Sequence, residues 1–239
     1  MGIASNSHSI TCFLQFFFTF VQNIESKMTA QKEQTLVKKN GIYRTPQIPN
    51  SLIWEVMEGK PLYRRGYQSV LGKLKTTDDI MGTSSYQALL TAYLTRLLIQ
   101  NLDEERYDIW TGEPGLHIEK NNNFSNDIVV HEIVDAARIS TQYADYPPKL
   151  VVEIDIEIDP ESMPETDYLK QKTNKMLGFG VERVIWILSY VKKVIVADRI
   201  KNTWDMLDWH TDIELMEGTM FNIQKFLDKR GIDPDAIIK

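Results

Sequence analysis

The chain has 239 residues, of which 43% are hydrophobic and 25% charged, a balance that excludes a chain disordered throughout. The net charge of −6 counts against a broad basic surface that binds nucleic acid by phosphate neutralisation alone, but leaves room for a local basic groove or a bound cation. The one cysteine, Cys12, excludes a disulfide framework and a cysteine-based zinc site.

Residues 1–27 differ from the rest of the chain. Their apolar run, residues 12–21, is about half as long as a membrane span, and no basic residue precedes it as in a secretory signal. We therefore expect a mis-assigned or disordered extension, with Met28 as the true start. A short anchor or cleavable signal is the alternative, and it rests on this run alone. We expect a cytoplasmic protein without stable membrane association, since the cysteine content fits a reducing compartment.

The elements predicted for the first half of the chain follow a polar lead-in at residues 28–50. Glu58 and Gly59 separate two short apolar segments, which predicts a hairpin. Ser84 or Ser85 is a typical N-cap, and the leucines after it recur at helical spacing, which predicts a helix through about Gln100. Three short strands are then predicted, at residues 107–110, 115–119 and 127–132.

The second half of the chain adds further strands and two helices to one domain at residues 51–239. Apolar runs and their boundaries predict strands at 150–158, 184–188 and 191–197, edge strands at 204–209 and 213–216, and helices at 165–179 and 221–229. No repeat of 20–50 residues is visible, which excludes a solenoid. This order predicts an α/β or α+β fold, with a mixed sheet flanked by helices.

The predicted strand at 150–158 alternates between apolar and acidic residues. Strict alternation places four carboxylates on one face, those of Glu153, Asp155, Glu157 and Asp159. Neighbours about 7 Å apart repel by about 0.6 kcal/mol in water and about 2.4 kcal/mol at an effective dielectric near 20. A solvated edge strand tolerates this repulsion, and for an isolated acidic strand that is the commoner arrangement. A half-buried face requires a cation, a lysine or raised pKa values.

Two further residues favour the half-buried alternative. Asp127 begins the preceding predicted strand, and two carboxylates from neighbouring strands can hold one Mg²⁺ while waters and phosphate oxygens complete its coordination. Lys172 lies on the flank of the inward stripe of the following helix, from which its amine can reach the two acids. Taken singly, an aspartate here is more commonly a strand cap, and a helical lysine is more commonly solvated.

These residues resemble a bacterial family of restriction endonucleases in the PD-(D/E)XK nuclease superfamily. The resemblance is carried by Asn126-Asp127-Ile128-Val129-Val130, by Pro148-Lys149-Leu150-Val151-Val152-Glu153-Ile154, by Lys172-Thr173 and by Gly180-Val181-Glu182-Arg183-Val184-Ile185-Trp186. The segment Trp54-Glu55-Val56-Met57-Glu58-Gly59 resembles the first hairpin of the family, and the predicted helix from Ser84 resembles its first long helix. The similarity covers roughly residues 50–230.

The resemblance implies a restriction-endonuclease-like core, cleavage of DNA phosphodiesters with Mg²⁺ or Mn²⁺, and a homodimer. Asp127 and Glu153 would bind the metal, Lys172 would orient or activate the attacking water, and Glu55 is an accessory candidate. The chain departs from the pattern at three positions. Asn126 replaces a proline, Asp155 replaces the lysine two residues after the strand acid, and Tyr86 replaces a histidine that often precedes the glutamine at 87.

The residues therefore support two hypotheses, a metal-dependent DNA endonuclease and a catalytically inactive interaction protein that keeps the nuclease fold. Four cations could bind backbone phosphates, although each is also an ordinary surface charge: Arg64, Arg65, Lys192 and Lys193. His131 shares a predicted strand face with Asp127, so it is either a general base or, more commonly, a packed histidine. Serine-hydrolase and P-loop motifs are absent from the sequence.

Overall fold

The structure is a computed structural model that describes residues 38–39, 42–43 and 48–237. The predicted extension at 1–27, with its apolar run and Met28, lies outside the described residues. The chain divides into two units between Ile48 and Pro49. The described part of the first unit is one antiparallel strand pair, β1 (Lys38–Lys39) and β2 (Ile42–Tyr43). The domain boundary at 51 stays a prediction.

The second unit contains twelve strands and five helices among its described residues. The strands are β3 (Ile53–Met57), β4 (Lys60–Tyr63), β5 (Tyr107–Thr111), β6 (Gly115–Glu119), β7 (Asn122–Ser125), β8 (Ile128–Glu132), β9 (Leu150–Ile154), β10 (Arg183–Leu188), β11 (Lys193–Asp198), β12 (Thr203–Asp208), β13 (Ile213–Glu214) and β14 (Met220–Phe221). The helices are α1 (Tyr67–Leu71), α2 (Ser85–Asn101), α3 (Glu165–Phe179), α4 (Ile223–Arg230) and α5 (Pro234–Ile237).

A six-stranded mixed sheet forms the centre, in the order β12-β11-β10-β9-β8-β5. Only β9 and β10 run parallel, and α3 is the crossover that connects them. A four-stranded antiparallel sheet has the order β4-β3-β7-β6. Its β3–β4 turn places Glu58 at φ 52° and Gly59 at φ 75°, the left-handed pair that a two-residue hairpin favours.

The hydrophobic core lies between the central sheet and α2 with α4. Leu90, Leu94 and Leu98 recur every fourth residue of α2 and are fully buried against the sheet. The opposite face of the sheet contacts α3, where Trp186 of β10 donates a hydrogen bond to the Thr173 hydroxyl at 2.9 Å. This bond fixes α3 over the centre of the sheet and therefore over the neighbouring strand β9.

The predicted mixed sheet flanked by helices is confirmed, as are the first hairpin and the helix after Ser84. The Ser84 hydroxyl caps that helix by accepting from the amide of Gln87 at 3.1 Å. The prediction was wrong at the acidic strand, which ends at Ile154 because Asp155 adopts φ 61°, a left-handed conformation that stops the strand. The predicted strand at 213–216 is shorter and pairs with β14 outside the central sheet.

None of the helices among the described residues is both long and apolar enough to cross a bilayer.

Candidate active site

Asp127 and Glu153 are brought together by the pairing of β8 with β9. The antiparallel register places Ile128 opposite Val152, so the residues just beyond this pair, Asp127 and Glu153, face each other. The Asp127 carboxylate also accepts a hydrogen bond from the amide of Ile154 at 2.7 Å, which ties it to the end of β9. The register therefore brings the two acids to neighbouring positions, where β8 begins and β9 ends.

Lys172 is fully buried between α3 and the smaller sheet, deeper than the predicted flank position. Its ammonium donates to Glu55 and to the carbonyl of Ser125, both at 2.7 Å, and to the Tyr168 hydroxyl at 3.2 Å. It also lies 3.0 Å from a carboxylate oxygen of Glu153. Three aromatic rings surround it with centroids 5.5 to 5.8 Å from Nζ, those of Phe124, Tyr168 and Trp186.

Glu55 belongs to the same cluster and joins the smaller sheet to α3. One of its oxygens accepts from the amide of Ser125 at 3.0 Å as well as from Lys172, and the other accepts from the Tyr168 hydroxyl at 2.8 Å. Both oxygens are therefore engaged by groups of the protein. The four residues predicted from the sequence therefore lie near one another: Lys172 contacts Glu55 and Glu153, and Asp127 lies opposite Glu153.

Two polar residues of this group were not predicted. Gln87, in the first turn of α2, donates to the Asp127 carboxylate at 3.2 Å and to the carbonyl of Ile154 at 3.1 Å, so it holds the end of β9 against Asp127. Tyr168 lies one helical turn before Lys172 and is also buried. The i, i+4 spacing of Tyr168 and Lys172 was the one signal in the sequence that could have indicated a shared partner.

The site contains three carboxylates and one ammonium, and burial controls their protonation. Burial raises the pKa of Asp127 to about 6, although hydrogen bonds from Ile154 and Gln87 and the charge of Lys172 lower it in part. Burial raises the pKa of Glu153 to about 8, and the charges of Asp127 and Glu55 add to the effect. Burial opposes protonation of Lys172, but Glu153 and Glu55 together hold its pKa well above the usual value.

One oxygen of Glu153 faces the Lys172 ammonium as an ion pair. It lies 3.0 Å from Nζ, although it is buried and receives no aligned hydrogen bond. A buried carboxylate oxygen is costly unless it is protonated or meets a cation, and here Lys172 supplies the cation. Burial is the main cause of the raised pKa of both acids.

The donor set fits a hard divalent cation better than zinc. Asp127 and Glu153 supply oxygen ligands, and Mg²⁺ is commonly held by one or two carboxylates while waters and substrate phosphates complete its coordination. No group of three histidine, cysteine, aspartate or glutamate side chains within the described part of the chain is arranged to hold a metal. A cation held by Asp127 and Glu153 would therefore need further ligands from outside the described residues.

The prediction of one acidic face continuing through residues 155, 157 and 159 was wrong. The Asp155 carboxylate accepts from the amide and the hydroxyl of Ser189, at 2.7 and 2.6 Å, and so is bound to the end of β10. Asp159 accepts from the amides of Gly66 and Glu161, at 3.3 and 3.0 Å. The left-handed backbone at Asp155 ends the alternation that the sequence pattern predicted.

His131 is a packed histidine, the more common of the two alternatives. Its ring lies 4.2 Å from that of Trp110 and 4.8 Å from that of Tyr146, centroid to centroid. Burial lowers its pKa to about 4, and the charge of Arg138 contributes. It occupies the far end of β8 from Asp127.

No protein-family profile matches the chain, and no curated protein matches it. Among solved structures, the fold is similar to the crystal structure of a putative nuclease belonging to DUF820 from Anabaena variabilis ATCC 29413. The TM-score is 0.51 at 12% sequence identity, and the match covers 72% of this chain and 88% of that one. At 12% identity, the match shows that this chain and that putative nuclease have similar folds.

Proposed function

We propose that the protein is an endonuclease that hydrolyses DNA phosphodiester bonds with Mg²⁺ or Mn²⁺, as the resemblance to the PD-(D/E)XK superfamily implies. The observation that carries this proposal is the pairing of Asp127 and Glu153 across β8 and β9, next to the buried ammonium of Lys172. The nuclease-like fold of the solved neighbour supports it. Neither the fold nor the acids alone would suffice, because both also occur in proteins without this chemistry.

In this proposal Asp127 and Glu153 hold the metal, which would polarise the phosphoryl oxygen and lower the pKa of a bound water. Gln87 and the Ile154 amide fix the Asp127 carboxylate, which would hold it in one orientation for a metal ligand role. Lys172 holds Glu153 in place and offsets part of the negative charge gathered there. Glu55 and Tyr168 in turn fix the Lys172 ammonium, which makes Glu55 an accessory residue of the site.

The test is a nicking assay on supercoiled plasmid with Mg²⁺ or Mn²⁺, comparing the parent with Glu153→Gln, Asp127→Asn and the control Glu58→Gln. Glu58 is an exposed acid of the same hairpin that bears Glu55. We expect each site variant to lose at least about a hundredfold in rate, and the control to match the parent. Nicking that survives Glu153→Gln, or a parent that never nicks, would overturn the catalytic proposal.

A second candidate is a catalytically inactive interaction protein with the nuclease fold. Two observations favour it. The Lys172 side chain is only 1% exposed, and an acid, Asp155, stands where the superfamily has its lysine. Titration calorimetry with Mn²⁺ separates the candidates. Binding that is abolished by Asp127→Asn supports the nuclease, whereas no heat of binding at millimolar Mn²⁺ supports the inactive alternative.

The proposal also includes a homodimer and a cytoplasmic location. Light scattering coupled to size-exclusion chromatography would test the dimer, with a mass near twice 27.7 kDa as the expected result.

A further inference from the structure

Among the four cations considered for phosphate binding, Arg64 stands apart. Arg65 is paired with Glu165, Lys192 with Asp235 and Lys193 with Asp208. Within residues 48–237, Arg64 has no carboxylate within ion-pair distance. Its Nε is buried and without a hydrogen-bond partner among these residues. A guanidinium that is held in place but not neutralised remains available to an anion from outside the protein.

The Arg64 guanidinium lies over the indole of Trp54, with Cζ 4.5 Å from the ring centroid. Both side chains are partly exposed. The β3–β4 register shifts between Ile53 and Glu55, which makes Trp54 the extra residue of a bulge. Bulges re-aim side chains, and here the bulge adjoins the residue that contacts Lys172. An arginine over an aromatic ring uses the face of its guanidinium, so the terminal Nη donors of Arg64 stay available to another partner.

Arg64 is attached to the segment that leaves the acidic site. It forms an isolated antiparallel bridge with Ile158, and the amide of Arg65 donates to the carbonyl of Glu157 at 2.8 Å. The bridging segment starts directly after Ile154, next to Glu153. Arg64 is thus a few residues from the proposed metal ligands along a fixed segment.

We propose that Arg64, oriented by Trp54, binds a backbone phosphate of the nucleic acid that enters the site. The inference rests on the proposed function, which supplies the class of ligand. A planar guanidinium that offers two parallel N–H donors matches two phosphate oxygens, and the stacked indole reduces the rotamer freedom lost on binding. The contact fixes where the strand lies relative to Asp127 and Glu153 and carries no base specificity.

The chain offers a matched control in Arg138, whose guanidinium lies 4.1 Å from the ring centroid of Tyr146. The distance from guanidinium to ring is similar to the 4.5 Å of Arg64 and Trp54. Arg138, however, is paired with Asp145, and Tyr146 packs against His131 at the opposite end of β8 from Asp127. Arg138→Ala therefore removes one exposed stacked arginine without changing the proposed strand path.

The experiment measures binding of a fluorescein-labelled 20-mer duplex by anisotropy, in Ca²⁺ or EDTA so that the substrate stays intact. Arg64→Ala should weaken binding about tenfold and reduce the slope of log affinity against log salt by about 1, since one phosphate contact is lost. Arg64→Lys should recover the salt slope but only part of the affinity, because it keeps the charge and loses the planar fork. Trp54→Ala should weaken binding and leave the salt slope unchanged. Arg138→Ala should bind as the parent does.

The outcomes separate this inference from the proposed function. If the parent nicks plasmid but Arg64→Ala binds with the parent's affinity and salt slope, the inference is wrong and the nuclease stands. If Arg64→Ala loses binding while the parent never nicks, Arg64 binds nucleic acid and the catalytic proposal fails. A parent that binds no duplex in either buffer, or equal losses for Arg64→Ala and Arg138→Ala, overturns the inference. A circular dichroism melt of each variant shows whether its fold is retained.

Discussion

Two ion-pair clusters on α3 contain the same kinds of group in opposite environments. Lys172 pairs with Glu55, and Lys175, three residues later, pairs with Glu58, three residues after Glu55 in the same hairpin. The first two side chains are each 1% exposed, whereas those of Lys175 and Glu58 are 19% and 62% exposed. Sequence spacing is identical in the two pairs, so burial alone distinguishes them.

The comparison shows how burial changes the energetics of a charge cluster. Solvent screens the Lys175 cluster, and such exposed pairs typically contribute about 0–1 kcal/mol to stability. In the Lys172 cluster the surrounding protein replaces water, so each charge depends on its partners, and removing one partner of a buried pair typically costs about 3–5 kcal/mol. The same property raises the pKa of Glu153.

The largest difference is expected from removing each lysine. Lys172→Met should lower the free energy of unfolding by about 3–5 kcal/mol, because Glu55 and the Ser125 carbonyl lose a buried donor. Lys175→Met should lower it by no more than about 1 kcal/mol. Urea denaturation followed by tryptophan fluorescence measures both. If both substitutions lowered the free energy of unfolding by the same amount, burial would not explain the difference between the two clusters.

Double-mutant cycles measure the interaction energy within each lysine–glutamate pair. The coupling between Lys172→Met and Glu55→Gln should be about 2 kcal/mol, since both groups are buried and in contact. The coupling between Lys175→Met and Glu58→Gln should be about 0.5 kcal/mol and should fall in 1 M salt. A coupling at Lys172 that also disappears in high salt would contradict the buried arrangement.

A pH series tests the protonation of Glu153 without metal. Its pKa is about 8 in the folded protein and 4.5 ordinarily, so between these values the folded state retains a proton that the unfolded state has released. Stability must therefore fall as pH rises from about 4.5 to 8, by at most about 1.4 kcal/mol per pH unit from this group. Asp127 acts in the same direction between 3.8 and about 6.

Glu153→Gln should flatten the slope between pH 6 and 8, and the exposed-cluster control Glu58→Gln should keep it. Thermal melts across this range, in buffers with a chelator, make the measurement. If Mg²⁺ binds the ionised acids as proposed, adding it should stabilise the parent more at pH 8 than at pH 6. A parent whose stability rises through this window would rule out a protonated Glu153.

The smallest expected effect is that of the Tyr168 hydroxyl. Tyr168→Phe keeps the ring beside Lys172 but removes the donor to Glu55 at 2.8 Å, so it should cost about 1–2 kcal/mol. Tyr190→Phe, at a tyrosine that is 65% exposed, is the control and should change stability by less than about 0.5 kcal/mol. If the Tyr168→Phe variant were as stable as its control, the Tyr168 hydroxyl would contribute no stabilising hydrogen bond to the cluster.

The sequence determined most of the local structure. The Ser84 cap, the leucine spacing of α2 and the apolar runs of β10 and β11 all predicted elements that the structure contains, because caps and periodicity depend on residues close together in the chain. The resemblance also led us to expect Asp127 and Glu153 together, although the predicted strand at 150–158 continued well beyond Glu153 and the observed strand ends at Ile154. The resemblance supplied the choice of Lys172, whose helix the pattern placed correctly.

Tertiary structure alone decided how deeply that lysine is buried and what binds it. Its partner Glu55 lies 117 residues away, and Tyr168 reaches Glu55 across 113 residues, so no local pattern reports either contact. The left-handed turn at Asp155 was hidden in the same way, because the Ser189 groups that hold its carboxylate come from a different strand. A sequence can alternate between apolar and acidic residues beyond the end of a strand. In the folded chain, contacts with distant residues determine where that strand ends.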